Sequence, residues 1–213
     1  MGVVNLSKNQ VVNLSKSAEG LKQVVVGLGW DEAKASGEKK GLFGRIFGSS
    51  SSGSTQSIDC DAFAVMLESN NRLASKDDVI FYGNLHAKGG SVYHTGDNLT
   101  GEGDGDDEQI IINLPAVNSR ITKIIIGVCI FRGTEKGQDF SKIENAFIRI
   151  VNSNNNQEMC RYNLSGKEYG GYTTMKFGEL YRESDGSWAF RACGEPDKAD
   201  SIRSCVSTVL FTR

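Results

Sequence analysis

The sequence predicts an all-β protein, a β-sandwich of two mainly antiparallel sheets with few short helices. Three observations carry that expectation: short segments rich in β-branched and aromatic residues recur at regular spacing, turn residues punctuate them, and helical periodicity is weak. At 213 residues with 38% apolar content the chain can bury one sizeable core, so a single domain over residues 1–213 is expected.

Val3-Val4-Asn5-Leu6-Ser7-Lys8 returns as Val11-Val12-Asn13-Leu14-Ser15-Lys16, a period too short for a solenoid unit. Two short strands with a turn at Asn9-Gln10 are the simplest reading. Val24-Val25-Val26-Gly27-Leu28-Gly29-Trp30 reads as a buried strand closed by glycine punctuation. Residues 33–57 then turn to Gly, Ser and Lys, with 49–54 close to pure linker, and such a stretch lacks the apolar content to offset its ordering entropy. It is expected to be a flexible insertion. Inside it, Lys39-Lys40-Gly41-Leu42-Phe43-Gly44-Arg45-Ile46-Phe47 mixes basic and large apolar residues, suited either to a partner or membrane surface or to folding back on its own domain.

Past the insertion the strand signal repeats. Residues 58–67 and 79–82 alternate or run apolar, 109–114 follow an acidic loop, and 121–131 form a long β-branched run suited to a sheet centre. Residues 147–151 and 158–164 flank an Asn-rich turn, and 173–182 and 187–193 flank Ser184-Asp185-Gly186, so two hairpins are expected. Weak helical candidates lie near 139–146 and 196–204, and Pro115 fits a strand exit.

Net charge is −2 with a pI near 5.8, which supplies no basic field for nucleic acid, and none is expected as a partner. The N-terminus lacks the charged head and apolar stretch of a secretory signal, and no apolar run approaches membrane-spanning length. A soluble, cytoplasmic protein is the expectation. Cys60, Cys129, Cys160, Cys193 and Cys205 are scattered, odd in number and never in a Cys-x-x-Cys pair, which points to reduced, mostly buried thiols.

The acidity is concentrated in Gly96-Asp97-Asn98-Leu99-Thr100-Gly101-Glu102-Gly103-Asp104-Gly105-Asp106-Asp107-Glu108. Six carboxylates in that span repel one another by roughly 1–3 kcal/mol per close pair. A cation should sit there. Oxygen donors on a glycine-permitted, tightly turning backbone suit Ca2+, which takes six to eight carboxylate, amide and carbonyl oxygens. The run is not an EF-hand, because Gln109-Ile110-Ile111 supplies neither the turn glycine nor the spacing to a bidentate glutamate. Other strand ends can complete the shell. Asp59-Cys60-Asp61 puts two carboxylates on one side of a strand, and Asp31 follows the apparently buried Trp30.

Catalytic readings find less support. His86 and His94 are the only histidines, no Gly-x-Ser-x-Gly elbow is present, and the loop carries too much negative charge to cradle phosphate. The alternative is an enzyme acting on a small molecule or nucleotide, with the acidic cluster holding Mg2+ or Mn2+.

Together, Val26-Gly27-Leu28-Gly29-Trp30-Asp31, Ile58-Asp59-Cys60-Asp61-Ala62, Val79-Ile80-Phe81-Tyr82, the acidic run from His94 to Glu108, Asn145-Ala146-Phe147-Ile148-Arg149 and Phe177-Gly178-Glu179-Leu180-Tyr181-Arg182 resemble the TerD family of bacterial tellurite-resistance and general stress proteins. The likeness runs from the N-terminus to about Gly194. It implies a calcium-binding sandwich without enzymatic activity, holding one or two Ca2+ ions as a structural clamp or as a sensor for partner binding. The ligand set implied is Asp31, Asp59, Asp61, Asp97, Asn98, Leu99, Gly101, Glu102, Asp104, Asp106, Asp107 and Glu108. Partners implied are other Ter-type stress proteins, some at a membrane-associated complex. Two departures stand out: Cys60 replaces the family's usual aliphatic residue, and the tail after Glu195 lacks a glycine-rich closing segment. Direct tellurite handling by thiols has no paired cysteine in the sequence to rest on.

Overall fold

The computed structural model describes residues 2–32, 58–96, 105–164 and 166–211. The 33–57 insertion, with its basic and apolar segment, and Asp97, Asn98, Leu99, Gly101, Glu102 and Asp104 lie outside the described residues. In chain order the elements are β1 (Val4–Leu6), β2 (Val11–Asn13), α1 (Leu14–Ser17), β3 (Gln23–Glu32), β4 (Cys60–Glu68), β5 (Val79–Ile80), β6 (Val92–His94), β7 (Glu108–Asn113), β8 (Ile121–Ile130), α2 (Gly133–Lys136), β9 (Ile143–Asn152), β10 (Gln157–Leu164), β11 (Thr174–Arg182), β12 (Trp188–Asp197) and α3 (Ile202–Phe211).

They form two six-stranded sheets. The first runs β1-β10-β9-β3-β7-β6 and the second β2-β12-β11-β8-β4-β5. The expected sandwich is what the chain builds, and among these strands only β1 with β10 pairs parallel. The inter-sheet core is laid down by alternation: Val24, Val26, Leu28 and Trp30 of β3 face Cys60, Ala62, Ala64 and Met66 of β4 and Ile124, Ile126 and Val128 of β8. On β4 the intervening Phe63, Val65 and Leu67 are buried as well, under Ile202, Cys205 and Val206 of α3. A strand covered on both faces reads as a continuous apolar run, which is why 58–67 shows little alternation.

The repeated N-terminal segments do form two strands, but they enter opposite sheets. β1 pairs β10 while β2 pairs β12, and the link passes through Asn9 at φ 66°, a left-handed conformation that Asn tolerates. Both hairpins are present, β9–β10 turning through Asn156 at φ 55° and β11–β12 through Gly186 at φ 82°.

Two helical expectations shift. Only Phe140–Lys142 forms a 3-10 turn in the first, capped by the Asp139 side chain, because the burial of Ile143, Ala146 and Ile148 commits the chain to β9. In the second, β12 continues to Asp197 before α3 begins at Ile202. Pro196 is accommodated because β12 meets β2 only at 189–191, leaving no neighbour on that side to need its missing N–H.

Candidate metal centre

The sheet end where β3 leaves and β7 enters gathers the carboxylates. Gly105, at φ 117°, turns the chain so that three consecutive acidic residues reach three different elements. Asp106 turns to the outer face of the first sheet. Its Oδ1 and Oδ2 accept from Arg149 on β9 at 2.7 and 3.1 Å, and Gln109 Nε2 donates to Oδ2 at 3.0 Å. The carboxylate lies flat over Gly27, where an added Cβ would sit 2.2 Å from Oδ2. Arg149 also donates to Glu158, which takes two further hydrogen bonds from Arg161.

Asp107 grips β3. Its N–H donates to the Leu28 carbonyl at 2.8 Å, and its Oδ2 accepts from the Trp30 N–H at 2.7 Å. Burial raises the Asp107 carboxyl above the ordinary aspartate range, and the nearby charges of Asp31, Asp106 and Glu108 push the same way against the Trp30 hydrogen bond.

Glu108 turns inward, its side chain 1% exposed. Its Oε2 accepts from the Ala62 N–H of β4 at 2.6 Å and lies 3.2 Å from His94 Nε2 on β6. Because His94 Nδ1 accepts the Gly96 N–H at 3.1 Å, the Nε2 hydrogen is the one offered to Glu108. This glutamate therefore ties the two sheets together.

Asp31 is exposed, accepts from Asn145 Nδ2 at 2.7 Å and stands opposite Glu144 in the β3–β9 register, just past a bulge. Asp59 sits just before β4, and burial raises its carboxyl, with Lys136 opposing and Glu108 reinforcing the shift. Two buried atoms here have no hydrogen-bond partner among the described residues: Asp59 Oδ1 and Trp30 Nε1. Asp61, by the alternation of β4, points with Phe63 to the outer face of the second sheet and lies across from Cys129. The structure thus brings Asp31, Asp106, Asp107 and Glu108 to one end, places Asp59 within the field of Glu108, and turns Asp61 to the outer face of the second sheet. Among the described residues no three acidic, histidine or cysteine side chains close into a ready metal-binding group.

A cleft of about 860 Å3 opens beside Trp30, Asp31, Gly105 and Asp107, walled by Glu144, Asn145 and Phe147. Glu144, Asn145, Arg149 and His94 were not legible as site residues. His94, Asn145 and Arg149 stand in segments that carry the family resemblance, but only the register across β3–β9 and the approach of the two sheets gives these four a place at the site.

Residues 1–206 match the TerD domain. The chain belongs to the TerD family. The match passes Gly194 and includes the first turns of α3, beyond the expected limit of the likeness. Among TerD relatives, stress response protein SCP2 of Bacillus subtilis (strain 168) is 42% identical over 204 residues, covering 96% of this chain and 98% of its own. Tellurium resistance protein TerD of Serratia marcescens is 45% identical over 192 residues, covering 90% of each. The fold also matches the crystal structure of a TerD homologue from Streptomyces coelicolor A3(2), with a TM-score of 0.64 at 18% identity over 89% of this chain and 98% of that one. The protein therefore stands among tellurium-resistance and general stress-response proteins. No helix among the described residues is long and apolar enough to cross a membrane.

Proposed function

We propose that this TerD-family protein is a non-enzymatic, cytoplasmic Ca2+-binding module of the chemical-stress response, tellurite included. Its ion fixes the acidic loop to the ends of β3 and β4 and so presents a surface to other Ter-type stress proteins, some at a membrane-associated complex. The observation that carries this reading is Asp107, a carboxyl whose charge is opposed by burial and by three neighbouring carboxylates at the start of an acidic strand end. The orphaned Asp59 Oδ1 adds an oxygen in want of a partner. Both fit a hard divalent cation. When bound, Ca2+ would supply the positive charge that offsets this repulsion. Asp107 and Asp31, with oxygens of the 97–104 segment, would hold it. Asp106, paired to Arg149, would pin the end of the loop to the sheet.

Binding to the folded state alone adds stability as RT ln(1 + [Ca2+]/Kd), so the melting temperature should rise with free Ca2+ and fall on chelation by EDTA. Mg2+ should substitute poorly, because it demands a small rigid octahedron. Asp107→Asn is expected to remove the Ca2+ response while leaving the calcium-free melting temperature unchanged or higher. Identical melting in Ca2+ and EDTA for the native chain would remove the proposal.

A further inference from the structure

On the outer face of the second sheet, where Asp61 also points, two of the five cysteines meet. Cys129 on β8 and Cys205 on α3 are both free, and they are 1% and 0% exposed. Seventy-six positions separate them in sequence, so nothing in their spacing announces the pair. Both belong to one buried cluster on this face, and the Cys129 thiol lies near enough to Cys205 to bear on its charge. Thr174, directly opposite Cys129 in the β8–β11 register, completes a triangle: its Oγ1 lies 2.9 Å from Cys205 Sγ. The Thr174 hydroxyl and Cys129 Sγ both reach the Ala199 carbonyl, at 2.5 and 3.8 Å. Around them Phe63, Val65, Leu67, Ile125, Ile202 and Val206 close an apolar shell.

We propose that Cys129 and Cys205 form an oxidisable dithiol that closes to an intramolecular disulfide under peroxide and locks α3 onto the sandwich. α3 holds this face through one short apolar stripe, so local opening of that helix admits a small oxidant without unfolding the sheets. The neighbouring Cys129 thiol favours the Cys205 thiolate, against its burial. The Cys205 thiolate attacks one peroxide oxygen, the O–O bond breaks, and a sulfenic acid forms with release of hydroxide, which takes up a proton as water. Cys129 then attacks that sulfur, its proton leaves with the departing hydroxyl as a second water, and the S–S bond forms. Two thiols are oxidised and one peroxide is reduced to two waters.

The other three cysteines serve as internal controls. Cys60, Cys160 and Cys193 are buried too, and no thiol pairing joins them to one another. The experiment treats the full chain with hydrogen peroxide, caps remaining thiols, and reads the intact mass and the cross-linked peptides. The expected result is three alkylated cysteines, a loss of two hydrogens, and one peptide pair joining Cys129 to Cys205. Dithiothreitol should reverse the link. Closing so long a loop should raise the melting temperature on the order of 5 °C, and that rise should be absent in Cys205→Ser. Cys193→Ser should keep both the link and the rise. Five alkylated cysteines after peroxide exposure, a link through another cysteine, or only intermolecular products would overturn the proposal, and these readouts on the native chain stand even if Cys205→Ser folds poorly.

Discussion

Asp106, Asp107 and Glu108 occupy three adjacent positions and do three different things. Asp106 anchors to Arg149, Asp107 carries the burden that a cation would relieve, and Glu108 reaches between the sheets. This division depends on two glycines of β3. A Cβ on Gly29 would sit 2.4 Å from the Phe147 ring and 2.7 Å from the Gly105 carbonyl, so the chain that delivers the three carboxylates could not lie as close to β3. Gly29→Ala is therefore expected to cost about 2 kcal/mol in urea denaturation, the cost of overpacking against a ring and a backbone that cannot both retreat. A wild-type midpoint in that variant would show that the close approach is not needed. The run was legible as an acidic cluster, since charge density is a property of composition. Which carboxylate pairs with which element was not, because Arg149, Trp30 and Ala62 are remote in sequence and reach the run through sheet register or, for Ala62, across the two sheets.

At the scale of elements, the outer face of the β9–β10 hairpin carries a ladder from Asp106 through Arg149 and Glu158 to Arg161, whose guanidinium stacks 4.2 Å from the Phe147 ring centroid. Hydrogen bonds from Arg161 and then Arg149 hold the Glu158 carboxyl below the ordinary glutamate range, against partial burial. Because the folded value is depressed, the stabilisation is complete above the unfolded glutamate value and is lost as pH falls through and below it. Glu158→Gln should flatten the acid side of a stability-against-pH curve without changing its neutral shape; an unchanged acid limb would show that the ladder contributes nothing. Strands with strong β-branched content, β3, β7 and β8, were legible, as were both hairpins from their Asn and Gly turns. β6 was missed because three residues give no periodicity. The helical reading of 139–146 failed because sheet burial outweighs weak local propensity.

For the whole molecule, the sandwich was legible from spacing and turn chemistry, yet its closure was not. The N-terminal repeat splits between the two sheets, and Glu108 of one sheet accepts a backbone hydrogen bond from β4 of the other. A buried carboxylate serving as a clasp leaves the Ala62 N–H and His94 without their acceptor when it is removed. Glu108→Ala should lower stability by about 3 kcal/mol in EDTA, with both sheets melting in one transition; a loss of a few tenths would mean the sheets are held by apolar packing alone. The same clasp places the end of the acidic loop on the joint between the sheets, so an ion bound there would act on the sandwich as a unit. The most direct test is isothermal calorimetry of the metal-free chain with Ca2+. The account predicts binding heat at micromolar to millimolar Ca2+, one or two ions per chain, abolished by EDTA and lost in Asp107→Asn. Absence of Ca2+ heat across that range, or full retention of it in Asp107→Asn, would contradict the account.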